Sequence, residues 1–289
     1  MAEWEKIRLG DVCKTNADTY SPKEKWDFAN YLDTGNITNN TIDSIQFIEL
    51  KNMKLPSRAK RKVKTDSIIY STVRPNQRHF GIIKSQPENF LVSTGFVVID
   101  VDTNVLNADF LYYLLMQNTL VDALQAIAEQ STSAYPAIKP SDIENLEIEI
   151  PDLATQKKIS DILSSLDRKI AKNAEINKNL EQQAKAIFKS WFIDFEPFSN
   201  QKPNDWSVST LGNVSIMSAG GDKPQNVSPI KTDLYRYPIY SNGLSDEGLY
   251  GFTDKPKIFE ESVTVSARGT IGFVCLRHTP YVPIVRLVT

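Results

Sequence analysis

Two short stretches of this 289-residue chain carry side chains suited to nucleic acid. From Lys51 to Lys64 there are seven bases (Lys51, Lys54, Arg58, Lys60, Arg61, Lys62, Lys64) and no acid. Grouped cations neutralise phosphates and release counterions, which gives a salt-sensitive attraction blind to sequence. Shortly after come Thr72, Arg74, Asn76, Gln77, Arg78 and His79. Arginine donates bidentately to guanine, and asparagine or glutamine pairs with adenine, so these residues make a base-reading set. Ser131, Ser133 and Tyr135 add hydroxyls and an aromatic ring suited to phosphate or base-edge contacts. Each stretch also has a plainer reading, as a solvated basic loop, an ordinary turn or a simple connector.

Catalytic constellations are absent from the sequence. It contains no GxxxxGK phosphate loop, no HExxH, no GxSxG and no Asn/Asp-Pro-Pro-aromatic motif of amino-methyltransferases. The run Gly220–Pro224 lacks the third glycine and the preceding strand of a dinucleotide site, so it reads as a turn. Two cysteines (Cys13, Cys275) and two histidines (His79, His278) supply neither a disulfide framework nor a metal-ligand spacing, so no cofactor or metal is expected. Paired carboxylates are common, but they fall in charge runs that usually face solvent. The start, MAEWEKIRLGDV, is not ordered like a signal peptide, no stretch is apolar enough to span a membrane, and a reducing cytoplasm is the expected setting.

The formal charge is only −2, yet the charges are segregated, since Ser141–Asp152 holds five acids and no base. Attraction to phosphate depends on charge within about a Debye length, so a neutral total leaves a basic patch effective.

Elements able to position these residues follow from periodicity. Residues 4–150 alternate β-branched runs with Gly, Pro, Asn and Asp, which predicts a strand-rich α+β domain. Strands are expected at Ser67–Ser71, Gly81–Lys84, the single long run Phe90–Val101 and Leu146–Ile150, with helices over Phe110–Gln117 and Leu120–Glu129. From Ile159 the positions Ile159, Leu163, Leu166, Ile170, Asn173, Asn177, Leu180, Ala184, Ile187 and Trp191 step by four and three. That is a heptad seam on one long helix, roughly 57 Å from about Thr155 to Phe192. A narrow apolar stripe of that length calls for a partner helix, and asparagines within a seam fix register between paired helices. The aromatic end, Phe188 to Phe198, reads as a cap on a core.

After a polar linker the pattern begins again. Trp4, Leu9-Gly10 and Val12 recur as Trp206, Leu211-Gly212 and Val214, and residues 67–83 are echoed by 262–276. The echo places Arg268 and Thr270 opposite the first copy's candidate base-reading loop. The second copy stops at Thr289, inside an apolar run matching Phe90–Val101. A strand ending there is expected to leave an open edge, in a truncated frame or a fragment.

Five features share one order along the chain: the W-x4-LGDV opening at Trp4–Val12, the segment 131–153, the helix start Gln156-Ile159-Leu163-Leu166-Asp167-Ile170, the GGDKP run, and Ser266–Gly269. In that order they resemble the DNA-specificity (S) subunits of type I restriction-modification systems. The resemblance implies a target-recognition domain in 1–150, a conserved coiled-coil spacer helix in 151–198, and an incomplete second recognition domain in 199–289. It implies a non-catalytic subunit in which each recognition domain reads one half of a split double-stranded DNA target. It further implies methyltransferase (M) subunits docked on the helices, a restriction (R) subunit reached through them, and self-association through the spacer helix in place of a missing second one. The first copy has Thr72-Val73-Arg74-Pro75 where the second has Ala267-Arg268-Gly269, as readers of different half-sites should. Two other classes remain: an enzyme with an atypical site, and a coiled-coil interaction protein or inactive truncated subunit with no DNA reading of its own.

Overall fold

Short apolar runs broken by turn residues fold as short strands here, and the uninterrupted heptad stretch folds as one helix. The structure is a computed structural model that describes residues 4–130 and 136–289. It divides into two compact units, Met1–Ala186 and Ile187–Thr289.

In chain order the first unit contains β1 (Glu5–Arg8), α1 (Leu9–Val12), β2 (Cys13–Thr15), β3 (Phe28–Leu32), β4 (Ile37–Thr38), β5 (Thr41–Ile42) and β6 (Gln46–Glu49). Next come β7 (Ala59–Arg61), β8 (Ile68–Ser71), β9 (Phe80–Ile82), β10 (Phe90–Ser93) and β11 (Phe96–Val101). The helices α2 (Ala108–Leu115), α3 (Asn118–Glu129) and α4 (Pro140–Glu144) follow, then β12 (Glu147–Ile150) and α5 (Leu153–Phe192), which runs past the end of the unit. Two four-stranded sheets, ordered β6-β3-β10-β7 and β2-β11-β8-β9, give the unit its strand-rich α+β character. Leu32, Ile37, Ile69, Val92, Phe96 and Val98 form one buried cluster. A larger one joins Leu9, Ile68, Tyr70, Phe80, Ile82 and Val97 to Leu111, Leu115, Leu124, Ile143 and Ile148 of α2–α4 and β12.

The run Phe90–Val101, expected as one strand, is two. β10 lies parallel to β3, whereas β11 pairs antiparallel with β8 in the other sheet. Nearly every residue of both strands is buried, so no alternation marks the break. Gly95 makes the turn, where a Cβ would lie 2.8 Å from the Thr34 Cγ2.

The acidic run faces solvent as its charge pattern suggests, with Glu147, Glu149 and Asp152 exposed, and its contacts are surface ones. Asp152 caps α5, accepting from the Thr155 amide at 3.0 Å and the Thr155 hydroxyl at 2.7 Å. Asp142 accepts from the Lys139 amide at 2.7 Å, and Glu147 meets Lys6 at 2.5 Å. The first turns of α5 dock on the unit. Gln156 is buried, donating to the Val105 and Pro151 carbonyls and accepting from the Asn107 amide. Tyr113 still donates to Ser164 and to Asp167 at 2.7 Å, and from Ser165 to Lys189 every residue of the helix is exposed.

The second unit contains α6 (Leu211–Val214), β13 (Tyr237–Tyr240), β14 (Leu249–Thr253), β15 (Ser262–Val265), β16 (Val274–Arg277) and β17 (Val282–Pro283). The aromatics at its start gather on Trp206, with Phe192, Phe195 and Phe198 each 5.8 Å away. The sequence repeat reappears as a repeat of pairing. β17 runs parallel to β13 as β10 does to β3, and β14 flanks β13 antiparallel as β6 flanks β3. β15 and β16 form a hairpin matching β8 and β9. Val288 bridges Val265 and Ala219, so this last stretch is paired on both sides and the open edge expected from the sequence is not found there.

Candidate nucleic-acid interface

One end of the first unit collects most of the residues singled out from the sequence. The β10–β11 turn is its hub. The Thr94 amide donates to the Arg58 carbonyl at 2.8 Å, and the Thr72 amide and hydroxyl both donate to the Gly95 carbonyl, at 2.8 and 2.9 Å. Val73 bridges Ala137, while the Arg74 amide donates to the Pro136 carbonyl and the Ile138 amide to that of Thr72. The start of the basic strand β7, the Thr72–Arg78 loop and the segment leading into α4 therefore meet. Ser131, Ser133 and Tyr135 lie outside the described residues.

Within the loop, Pro75–Gln77 makes one tight turn flanked by Arg74 and Arg78, both left-handed at φ 48° and 56°. Each such residue costs about 1–2 kcal/mol, so the surroundings must enforce the shape. They do so through α2 and α3. The Asn76 amide donates to the Gln125 Oε1, and the Arg78 guanidinium donates to the Met116 carbonyl at 3.0 Å and to the Asn118 Oδ1. Arg78 thus acts as a brace. Arg74, Asn76 and Gln77 are exposed on the loop.

The basic run divides. Lys51 pairs with Asp27 at 3.6 Å, Lys62 with Glu24 at 2.5 Å, and Lys64 with Asp100 at 3.7 Å. The hydrogen bond from Lys62 holds the Glu24 carboxyl below its ordinary range, and the same bond raises Lys62. Arg61 is half-buried, and burial lowers its pKa from the ordinary guanidinium value. Arg58 and Lys60 are exposed and enter no ion pair among the described residues. Lys51 and Lys64 remain about 70% and 68% exposed in these surface pairs, whereas Arg61 and Lys62 are more enclosed.

On α5, Ile159 packs against the first unit's core and Leu163 is half-buried. Leu166, Ile170, Asn173, Asn177, Leu180 and Ile187 are all exposed. In the second unit, Arg268 and Thr270 sit on the exposed β15–β16 loop, whose Ala267 amide donates to the Asn242 Oδ1 at 2.7 Å. The sequence reading missed Lys223 and Arg286, which share a cleft with Arg268. Their signal was the two glycines before Lys223, read only as a turn. Burial pushes the Cys13 thiol up to about 11, so it is no nucleophile near neutrality. Among the described residues no group of His, Cys, Asp or Glu could hold a metal, and no helix is long and apolar enough to cross a membrane.

Comparison with known proteins gives the context. The family model for the type I restriction modification DNA specificity domain matches residues 1–182 and 203–287. The type I restriction enzyme HindI specificity subunit of Haemophilus influenzae is 36% identical over 247 residues, covering 82% of this chain and 52% of that protein. The MjaIX specificity subunit of Methanocaldococcus jannaschii is 35% identical over 129 residues, 41% of this chain and 29% of its own. The aligned part of the chain thus spans about half the length of the HindI subunit. Among solved structures, a type I S subunit from M. genitalium aligns with a TM-score of 0.64 at 17% identity, covering 99% of this chain and 72% of that one. The HsdS subunit from Thermoanaerobacter tengcongensis aligns at 0.51 and 20% identity, over 99% and 74%. At these identities the likeness speaks for fold.

Proposed function

We propose that this chain, which belongs to the type I restriction-modification DNA specificity family, is a non-catalytic subunit that reads double-stranded DNA for a methyltransferase and endonuclease complex. In this reading residues 1–150 are one target-recognition domain, 151–198 the spacer helix and 199–289 a second recognition domain, each domain taking one half of a split target. Base edges meet Arg74, Asn76 and Gln77, and phosphates meet Arg58 and Lys60. Methyltransferase subunits dock on the helix, the restriction subunit joins through them, and the exposed seam of α5 takes a second copy of the chain.

The observation that supports this most is the double family match, at 1–182 and 203–287, over two units that repeat the same strand pairing. The experiment is to map methylated adenines in a host expressing the chain with its methyltransferase, and then to exchange residues 1–150 for those of a relative. The expected result is a split motif, one half of which changes with the exchange. A motif indifferent to the exchange would instead favour an interaction protein acting through α5, a reading that draws on the apolar residues the helix leaves exposed.

A further inference from the structure

The second unit holds a cleft of about 410 Å³ where three loops converge. Gly220 packs so closely under the end of β17 that a Cβ would lie 2.7 Å from the Pro283 carbonyl carbon, so this turn admits only glycine. The approach is locked by backbone hydrogen bonds, from the Arg286 amide to the Gly220 carbonyl at 2.8 Å and from the Val285 amide to Gly221 at 2.9 Å. Val285 and Arg286 are both left-handed, at φ 56° and 58°. Two such residues in succession, one of them β-branched, persist only where the surroundings over-determine them, and strain of this kind gathers at ligand-binding sites. Asn242 joins the third loop, donating to the Val285 carbonyl at 2.7 Å while accepting from the Ala267 amide beside Arg268.

The result is a concentration of positive charge. Lys223, Arg268 and Arg286 line the cleft with one acid, Asp222. All three cations are exposed, and among the described residues none of them enters an ion pair. The place is also telling. Val288 pairs with Val265 as Val97 pairs with Tyr70, so Arg286 stands where the first unit has Gly95, the hub of its candidate interface.

We infer that the Lys223–Arg268–Arg286 cleft holds a backbone phosphate of duplex DNA, an inference that rests on the DNA-recognition reading. Two guanidinium forks and an ammonium suit a phosphodiester's oxygens, and such an interaction fixes position without reading sequence. The cleft is then the second unit's counterpart of Arg58 and Lys60.

The test measures binding of the full chain to a labelled duplex of random sequence across a salt series. For Lys223→Ala/Arg286→Ala we expect roughly tenfold weaker binding, and a slope of log K against log salt smaller by about 0.9 for each phosphate no longer neutralised. Lys223→Arg/Arg286→Lys keeps the charges and should bind as the parent does, which separates the effect of charge from that of misfolding. Unchanged affinity and slope in the alanine variant, with binding weakened by Arg58→Ala/Lys60→Ala, would overturn the cleft while leaving DNA recognition intact. Absence of binding to any duplex by the parent chain, even when assembled with its methyltransferase, would remove the reading itself, and the cleft with it. Inorganic phosphate alone raising the parent's melting temperature but not the variant's, with duplex binding the same in both, would make the cleft a free-anion site and sink the proposal.

Discussion

The two units share a strand plan and differ in what lies over it. On one side of the hairpin β8–β9, Ile69 and Ile83 are buried, and their counterparts Thr264 and Arg277 on β15–β16 are buried as well. The other side behaves differently. Leu9, Phe80 and Ile82 are 0%, 1% and 6% exposed beneath α2–α4, whereas their counterparts Leu211, Val274 and Leu276 are 71%, 58% and 49% exposed. A repeated sequence pattern transmits backbone pairing, which strands settle between themselves. Burial depends on a further layer, and equivalent residues with equivalent neighbours along the strand therefore contribute unequally to stability.

The largest expected effect follows directly. Leu9→Ala should destabilise the first unit by about 2–5 kcal/mol, through lost transfer energy and the cavity left behind. Leu211→Ala should change stability by no more than about 0.5 kcal/mol, the range for exposed positions. Denaturant unfolding of the full chain measures both. Similar losses from the two substitutions would mean that the second face is covered in solution, and the contrast would collapse.

Arg277 offers a sharper version. Where the first unit places Ile83 between its sheets, the second buries an arginine that donates to the Thr264 Oγ1 at 3.0 Å, pairs with Glu247 at 3.2 Å and lies 3.7 Å over the Tyr240 ring. Arg277→Ala should cost about 1–3 kcal/mol, the range for removing a charged hydrogen bond with polar partners left behind. Arg277→Ile, which grafts in the first unit's residue type, should recover part of that loss, since it refills volume that alanine leaves empty while the exposed Glu247 stays hydrated. An isoleucine variant weaker than the alanine one would show that the polar interactions, not the filled volume, hold this side together.

The loops at the two candidate interfaces differ in their bracing. In the first unit Arg78 reaches across to the Met116 carbonyl and Asn118; in the second, Asn242 holds a shorter loop. Arg78→Ala should therefore lower the first unit's stability by about 1–2 kcal/mol. Asn76→Ala and Gln77→Ala, on exposed residues, should leave stability within about 0.5 kcal/mol and alter sequence preference. A stable Arg78→Ala variant with altered preference would return that arginine to the base-reading set.

Much of this plan was legible in the residues. The heptad steps marked α5, and the echo of 67–83 in 262–276 foretold the second hairpin. The break at Thr94–Gly95 was hidden, because burial on both faces erases the alternation that would show it, and the crowding by Thr34 comes from a distant segment. The acids of 142–152 read as a solvated face, and Glu147, Glu149 and Asp152 are exposed; what the residues could not show is their surface partners, such as Lys6, which only the fold supplies. Arg78 has the right chemistry for guanine, and nothing local betrays that α2 and α3 claim it. Lys223 and Arg286 lie far apart in sequence and meet only because Gly220 lets two loops touch.

The smallest effect concerns how the covered unit begins its long helix. Hydrogen bonds from the Thr155 hydroxyl and amide hold the Asp152 carboxyl below its ordinary range. A carboxyl depressed by folding contributes stability that is complete above its unfolded pKa and is lost as pH falls through the folded one. Protection factors for amide exchange in the first turn of α5 should therefore fall in acid, below the ordinary carboxylate range. In Asp152→Asn, which keeps an acceptor without the titration, that acid step should disappear. The second unit supplies a control, since Thr210, at the start of α6, makes no side-chain cap and offers no carboxylate to titrate. An acid step at α6 equal to that at α5 would trace both to general loosening of the chain, because local capping cannot act where there is no cap.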